Sequence, residues 1–432
     1  MSSWKQVRFS EICDITRGGS PRPIQEYMTN DGVPWIKISD ATASNSRFIE
    51  KTKEFIKTSG ISKSREVFPD DLILSNSATP GIPKFMRIYA CIHDGWLLLR
   101  NFNGAEKEFI YWLLLNERDK LIQQGNGSVF TNLKTDILKN HIVNIPDDIE
   151  EQKRIATILN NIQEKIELNT QINQTLEQIA QTIFKSWFID FDPVHAKANA
   201  LASGQTLEQA TQAAMAVISG KNTQELHRLQ TANPEQYQQL WEIADTFPSG
   251  VDEEGVPWGW EERYLKDVCN IVYGKNLPTS ELKEQGYPVF GGNGVIGFYD
   301  KYLYDKPHTL VSCRGAASGK VIYSLPNSFV TNNSLVIEHS KSYLSSFYVY
   351  EALSIQNLTK LTSGSAQPQM TIANMNPVQI IVPTEKAHSL YFNFVKGIYD
   401  KKLYGLYENE VLSKIRNELL PKLLSGEILN GN

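Results

Sequence analysis

At 432 residues the chain is long enough for two or three domains, and its 41% hydrophobic content supports a buried core. The formal net charge of −5 is uneven: residues 1–147 hold 19 Lys+Arg against 17 Asp+Glu, residues 148–250 hold 7 against 13, and residues 251–432 hold 17 against 18, so the acidity lies in the middle and either flank can still carry a basic face. No run of about 18 apolar residues occurs, the stretch "MSSWKQVRFS" has no apolar signal core, and Cys13, Cys91, Cys269 and Cys313 form no CxxC pair, which argues against a spanning helix, export and a zinc site and predicts a reduced, cytoplasmic setting.

In chain order, short β-rich runs come first, broken by Gly, Pro and Asn: "VPWIKI" (Val33 to Ile38) and "DLILS" (Asp71 to Ser75). Glu106 to Gln124 reads as helical. After Pro146, Ile155, Ile158, Ile162, Ile166, Ile172, Leu176, Ile179 and Ile183 recur every three or four positions, a narrow stripe near heptad spacing. Asn169 stands where that stripe expects an apolar residue, as register-fixing polar residues do. An Ala- and Gln-rich stretch follows, with a capping-box spacing at Thr206 and Gln209 and two or three short helices expected. It is read either as a linker to the next globular part or as a docking surface. Further strand-like runs stand at Thr309 to Cys313 and Ser334 to Glu338, a helix at Ser342 to Ser354, and a last stripe at Phe394, Ile398, Leu406, Leu412, Ile415, Leu419 and Leu423, weaker around Lys401, Lys402 and Gly405.

The chain repeats itself. "WKQVRFSEICDITRG" (Trp4 to Gly18) matches "WEERYLKDVCNIVYG" (Trp260 to Gly274) at the Trp, an acidic residue, the Cys, an Ile and the Gly. Gly127 to Pro146 matches Gly364 to Pro383 without gaps. Leu72 to Gly81 matches Thr309 to Gly319 with a one-residue slip. The ends of the two stripes, Ile179 to Phe188 and Ile415 to Leu424, correspond as well. The plan is therefore globule, long helix, globule, long helix. Two stripes of ~35–40 residues at matching places are expected to pack on each other, and at 1.5 Å per residue they form a rod of roughly 50–60 Å.

Enzyme signatures fail on context. Gly292-Asn293-Gly294-Val295-Ile296-Gly297 is a literal G-x-G-x-x-G, but the aromatic, alternating "FYDKYLYDK" behind it predicts a strand where a dinucleotide loop needs a helix. "GAASGK" (Gly315 to Lys320) has one residue too few between its glycines for a P-loop, and Val321 follows. "FDPV" lacks the second proline and the aromatic of the amino-methyltransferase motif. No G-x-S-x-G elbow or HExxH pair is present, so no catalytic and no metal-binding residue is assigned.

What remains are loops rich in small polar and basic residues: Thr16 to Pro23, Ser75 to Lys84, Tyr273 to Glu281, Gly291 to Gly294 and Ser312 to Lys320. Such groups suit phosphates and base edges, and each loop could also be an ordinary turn. The candidate DNA-contacting residues are Arg17, Ser20, Arg22, Lys37, Ser75, Asn76, Ser77, Thr79 and Lys84 in the first half, and Lys275, Asn293, Arg314, Ser318 and Lys320 in the second.

The chain resembles the specificity subunit of type I restriction–modification systems. The resemblance rests on Trp4 to Pro21, "GVPWIKISD" (Gly32 to Asp40), "FKSWFIDFDPVHAK" (Phe184 to Lys197), "GYPVFGGNGVIGFYD" (Gly286 to Asp300) and "LLPKLLSGEI" (Leu419 to Ile428). It implies an α/β fold with two mixed α/β target-recognition domains in a pseudo-two-fold repeat, separated by two long helices packed as an antiparallel coiled coil. The divisions expected are recognition domains at 1–147 and 259–383, long helices at 148–196 and 384–432, and a helical connection at 197–258. The resemblance further implies a non-catalytic subunit whose domains each read one half of a split site in double-stranded DNA. Two modification (methyltransferase) subunits would dock on its helices, joined by restriction (translocase and nuclease) subunits. S-adenosylmethionine, ATP and magnesium would be held by those partners, and no cofactor by this chain. Residues 199–248 match the family's connection only loosely.

Overall fold

The computed structural model describes residues 3–42, 46–124, 132–364 and 368–428. The segments 127–131 and 365–367 of the second repeat match lie outside the described residues. The chain divides into two compact units, one of residues 1–171 with 406–432 and the other of residues 172–405.

In the first unit a two-stranded antiparallel ribbon pairs Trp4–Arg8 with Ile142–Pro146. The main sheet carries Asp14–Arg17, Trp96–Arg100, Leu72–Ser75 and Pro83–Met86 side by side, with Phe48–Ile49 at its edge. Its inner strands are nearly continuous apolar runs because both faces are covered. The two-residue period of the strand divides them: Leu72, Leu74, Leu97 and Leu99 point to a core with Phe9, Phe109 and Trp112, while Ile73 and Leu98 point to a second core with Ile36 and Ile92. A second sheet holds Val33–Ile36 parallel to Ala90–Ile92. The helix Lys107–Asn116 starts where the Glu106 carboxylate accepts from the Phe109 N–H at 2.6 Å.

The second unit rebuilds this plan. Glu261–Tyr264 pairs with Gln379–Val382, and the sheet order Asn270–Tyr273, Ser334–Glu338, Thr309–Ser312, Val321–Tyr323 copies that of the first unit. Tyr287–Gly291 lies parallel to Phe329–Val330, as Val33–Ile36 lies to Ala90–Ile92. The period-two division recurs: Val311, Leu335 and Ile337 face one core, and Leu310 and Val336 face another with Phe290 and Val330. The first of these cores is strongly aromatic, with Phe184, Trp187, Phe188, Trp260, Tyr348 and Tyr391 packed together.

The sequence repeat is thus a repeat of hydrogen bonds. Gly18 N–H donates to Trp96 O at 2.9 Å and Gly274 N–H to Ser334 O at 3.0 Å. A Cβ on Gly18 would lie 2.1 Å from His93 O, and one on Gly274 2.2 Å from Thr331 O, so both positions admit only glycine. The one-residue slip falls inside one loop. Ser75 N–H and Ser312 N–H bond Ile82 O and Lys320 O, and Gly81 N–H and Gly319 N–H return to Ser75 O and Ser312 O, so the extra residue is absorbed between fixed ends.

Each long helix has 40 residues, Ile149–Phe188 and Glu385–Leu424. They run antiparallel within each unit. In the first, Arg416 Nη1 donates to Gln163 Oε1 at 2.5 Å and Lys165 pairs with Glu408 at 3.3 Å. In the second, Asn173 Nδ2 donates to Lys402 O at 3.1 Å and Lys402 pairs with Glu177. The expected second stripe needs correction. Leu412, Leu419 and Leu423 are wholly or partly covered, but Phe394, Leu406 and Ile415 are exposed, as is Ile179 of the first stripe. Spacing alone does not tell a seam from a neighbouring apolar face.

The stretch between the repeats holds the helices Asp192–Ala202, Leu207–Ser219, Thr223–Ala232 and Pro234–Asp245. Thr206 and Gln209 close the capping box, at 3.2 and 2.9 Å. Ala214, Met215, Leu226, Leu240 and Ala244 give these helices a small core. Lys197 is buried, and its ammonium donates to Phe247 O at 2.7 Å just past the end of the fourth helix. Burial lowers its pKa, partly offset by Asp245.

Candidate nucleic-acid interface

In the first unit the candidate residues converge on one turn. Residues 93–95 join Ala90–Ile92 to Trp96–Arg100. Ser20 Oγ donates to Asp94 Oδ1 at 2.7 Å, and Asp94 N–H returns to Ser20 Oγ at 3.3 Å. Arg17 Nε donates to Asp94 O at 2.8 Å and its Nη2 lies 3.9 Å from Asp94 Oδ2. Arg22 Nη2 lies 3.6 Å from the same oxygen. Asn76 is buried, so its side chain offers no surface to a ligand and leaves the set of candidate contacts; its Nδ2 donates to Asp94 O at 3.2 Å, and Ser77 Oγ borders Gly95. Burial pushes the Asp94 carboxyl up, but Ser20, His93 and Arg17 outweigh it and hold it below the usual carboxylate range. Burial lowers the pKa of His93; Asp94 opposes this and the charge of Lys37 adds to it. Lys37 Nζ itself is held by Glu54 Oε1 at 2.7 Å.

Ser75 and Lys84 do other work, and Thr79, half-buried, takes part in it through its backbone carbonyl. Ser75 is buried, donates to Thr79 O at 2.6 Å and accepts from Ile82 N–H at 2.9 Å, so its hydroxyl shapes the loop. Lys84 is buried with its ammonium on Ser46 O, and burial lowers its pKa against the pull of Glu167. Neither side chain offers surface to a ligand, so both leave the set of candidate contacts. All four residues of Pro83–Met86 are buried, Lys84 among them, although the loop that leads into the strand is polar.

In the second unit the G-x-G-x-x-G is a β-hairpin. Tyr287–Gly291 pairs with Gly294–Tyr299, Gly291 faces Gly294 across the turn, and a bulge follows at Val289/Phe290. Gly294 takes φ +125°, a backbone open to glycine. The strand expected after the glycines is present. Asn293, at the tip, accepts from Lys320 Nζ at 2.5 Å. These two candidates meet, and both are exposed. Arg314 is exposed and bridges to Gln369, and Lys275 is exposed where its backbone pairs with Val330 and Asn332. Ser318 is buried, donates to Pro368 O at 2.7 Å, and also leaves the set. "GAASGK" is a 3-10 turn, Gly315–Ala317, leading into the strand Val321–Tyr323.

The loops compared are the same loops in both units. Asn76 N–H bonds Gly95 O, as Cys313 N–H bonds Asn333 O, and Leu133 N–H bonds Asn76 O, as Met370 N–H bonds Cys313 O. Asp94 therefore corresponds to Asn332. The scaffold is shared while the side chains on it differ.

The described residues hold no group of three or more His, Cys, Asp or Glu placed to bind a metal ion, and none of their helices is long and apolar enough to cross a membrane. The four thiols are free and buried in the cores. Burial, ahead of Asp14, pushes the Cys13 thiol up to about 12.

A family model described as the type I restriction modification DNA specificity domain matches residues 1–178 and 257–400. The chain belongs to that family. It is similar to the type I restriction enzyme HindI specificity subunit of Haemophilus influenzae, 31% identical over 99% of this chain and 100% of the relative. It is also similar to the type I restriction enzyme MjaIX specificity subunit of Methanocaldococcus jannaschii, 24% identical over 98% of this chain and 93% of the relative. Its fold matches the crystal structure of a type I restriction–modification S subunit from M. genitalium, with TM-score 0.54 and 15% identity over 98% and 96% of the two chains. Like the family, the chain is a non-catalytic subunit that supplies DNA sequence recognition to a type I restriction–modification complex. The glycine clusters that mimic cofactor loops are close-approach turns in that frame.

The Asp94 turn was not among the candidates. Its signal was present as "IHDGW": a titratable pair in an Asp-Gly turn between two strands. Also missed were two equivalent clefts. One, of about 230 Å³, is lined by Gln6, Asn116, Val143, Asn144, Leu424 and Ser425; the other, of about 370 Å³, by Glu262, Gln356, Ile380, Ile381, Phe188 and Ile189. Each lies between a ribbon, a domain helix and the end of a long helix.

Proposed function

We propose that the two recognition domains each read one half of a bipartite site in double-stranded DNA, and that the helices dock two modification subunits, with restriction subunits added to that core. The observation that carries this reading is one loop scaffold built twice with different side chains. Arg17, Gly19, Ser20 and Asp94 stand in the first domain where Tyr273, Lys275, Asn276 and Asn332 stand in the second. Identical scaffolds with different donors and acceptors suit two half-sites of different sequence, much as half-site spacing in dimeric readers follows protein geometry.

Two features support docking of partner subunits, and the first of them recurs in both repeats. The equivalent clefts recur once per repeat. In addition, Tyr407, Val411 and Ile415, spaced four apart on the second long helix, are 43%, 58% and 41% exposed, an apolar face of the kind that takes a partner helix. S-adenosylmethionine, ATP and magnesium then belong to the partner subunits, in the cytoplasm where the chromosome lies. Nearly balanced charge in both domains gives this chain modest DNA affinity alone, with the modification subunits adding much of the grip.

Exchange of residues 1–147 for those of another family member, followed by methylome sequencing with the modification subunit, tests the reading. One half of the methylated motif changes and the other half and the spacer stay. An unchanged motif would show a scaffold that reads no sequence.

A further inference from the structure

We infer that Asp94 is a specificity-determining residue of the first domain, which fixes Arg17 so that its guanidinium reads a guanine in the major groove. This rests on the proposal that the first domain reads one half-site.

A carboxylate is an unusual resident of a DNA-facing surface, because phosphates repel it. Two roles suit it there: accepting from the amino group of cytosine, or holding an arginine that reads guanine. Here the carboxylate is already engaged. Ser20 Oγ takes Oδ1 at 2.7 Å, and the guanidinium groups of Arg17 and Arg22 lie 3.9 and 3.6 Å from Oδ2. Ser20 also accepts from the Asp94 N–H, and Asn76 and Arg17 both bond the Asp94 carbonyl at 3.2 and 2.8 Å, so side chain and backbone of the turn are pinned together.

Arg17 spends its Nε on the Asp94 carbonyl and remains 59% exposed. Its Nη2 lies 3.9 Å from Asp94 Oδ2, beyond hydrogen-bond distance, so the Nη edge keeps its N–H donors for a fork. A long side chain ordered only on binding gives up its conformational freedom at that moment. Here that ordering precedes the DNA, and a bidentate fork to guanine O6 and N7 is the arrangement that gains most from it. Arg22 is 81% exposed, lies 3.6 Å from the Asp94 carboxylate, and fits a phosphate contact. Arg65 Nε lies on the Arg17 carbonyl at 3.4 Å and adds positive charge beside the fork. The second domain has the uncharged Asn332 in the place of Asp94, so this reading device belongs to one half-site only.

The test is binding and methylation by the complex of the full chain with its modification subunit, across a panel of sites substituted at each position. Arg17→Ala and Arg17→Lys lose discrimination at one G·C pair of one half-site by between ~5-fold and ~150-fold. Asp94→Asn relaxes that same pair by a smaller factor, Asp94→Glu restores part of it, and Ser20→Ala follows Asp94→Asn. Arg22→Ala weakens all sites alike and lowers the salt dependence. If Asp94→Asn alters a pair that Arg17→Ala leaves untouched, Asp94 reads a base directly and the inference is overturned. An unchanged motif in both variants overturns it too. Should Asp94→Asn fail to fold, shown by its thermal melt, the exposed Arg17→Lys carries the test. Failure of the underlying reading is separate: exchange of residues 1–147 would then leave the whole motif intact.

Discussion

Asn169 of the first long helix donates one amide to two residues of the second, Glu408 Oε2 at 2.6 Å and Asn409 Oδ1 at 3.0 Å. Asn409 in turn donates to Ile166 O and Thr170 Oγ1, each at 3.2 Å. A buried polar residue in an apolar seam is thus satisfied across the helix pair, in one register only. Replacing it with leucine restores the apolar pattern but takes the donor from Asn409 and one from Glu408. Asn169→Leu is expected to cost about 1–3 kcal/mol, read as a lower thermal midpoint. A higher midpoint would mean that the asparagine serves register at a net cost.

Arg47 is buried to 3% exposure among Glu108, Glu164 and Glu167, at 3.3, 3.1 and 3.9 Å, and donates to Asn160 Oδ1 at 2.5 Å. It ties the strand edge at Phe48 to the first long helix. Burial raises the Glu108 carboxyl even though Arg47 pulls it down. Arg47→Ala leaves three carboxylates facing one another, and breaking such a network costs roughly 3–5 kcal/mol. Arg47→Lys recovers little, since an ammonium lacks the planar fork. Chemical denaturation of both variants measures this. Loss of well under 1 kcal/mol in Arg47→Ala would show the site to be hydrated.

Much of this fold was legible before any coordinates. The paired opening segments, the two long helices and the place of Asn169 follow from recurrence and period, which local patterns carry directly. Burial was harder to see. Ser75, Lys84 and Ser318 look like surface residues because their neighbours are polar, and each is inside because a backbone carbonyl awaits it there. The exposed face at Tyr407, Val411 and Ile415 was hidden for the opposite reason: apolar spacing announces a contact without naming the partner. The Asp94 turn was missed because its meaning depends on Arg17 and Ser20, which lie more than seventy residues away in sequence.

Glu351 lies buried on the helix Ser346–Ser354, with Tyr399 donating to Oε1 and Oε2 without a partner. Burial pushes its carboxyl up to about 7, against the lowering effect of Tyr399. Below its ordinary value of 4.5 the group is protonated in both states, and its contribution to stability is fully present. As pH rises through about 7 the folded state must hold a buried carboxylate, and that contribution is lost. Burial lowers His388 from 6.5 to about 4, which gives a slope of opposite sign at lower pH. The comparison to make is therefore between Glu351→Gln and the parent. The variant gains on the order of 3 kcal/mol at pH 8 and nothing near pH 4, seen in melts across that range. A constant difference at all pH values would rule out titration of Glu351 as its source.

Lys320 donates to Asn293 at 2.5 Å, joining the tip of the glycine hairpin to the end of the loop that carries Arg314. The pairing uses the Asn293 carbonyl oxygen and leaves its amide to donate to an acceptor on a base edge. It also fixes one ammonium where a phosphate can meet it. The three residues should therefore separate in a salt titration of the assembled complex, followed by fluorescence anisotropy. Lys320→Ala lowers affinity for every sequence and reduces the slope of log affinity against log salt by about 1. Asn293→Ala keeps the charge and therefore the slope, and costs about 1–3 kcal/mol only on sites with the correct base pair. Arg314→Ala costs a similar amount at a base pair of the same half-site, with a change in slope if it also touches phosphate. Unchanged binding in all three variants would remove the hairpin and its neighbouring loop from the DNA interface, and would leave the second domain to read through Lys275 and the turn at Asn332.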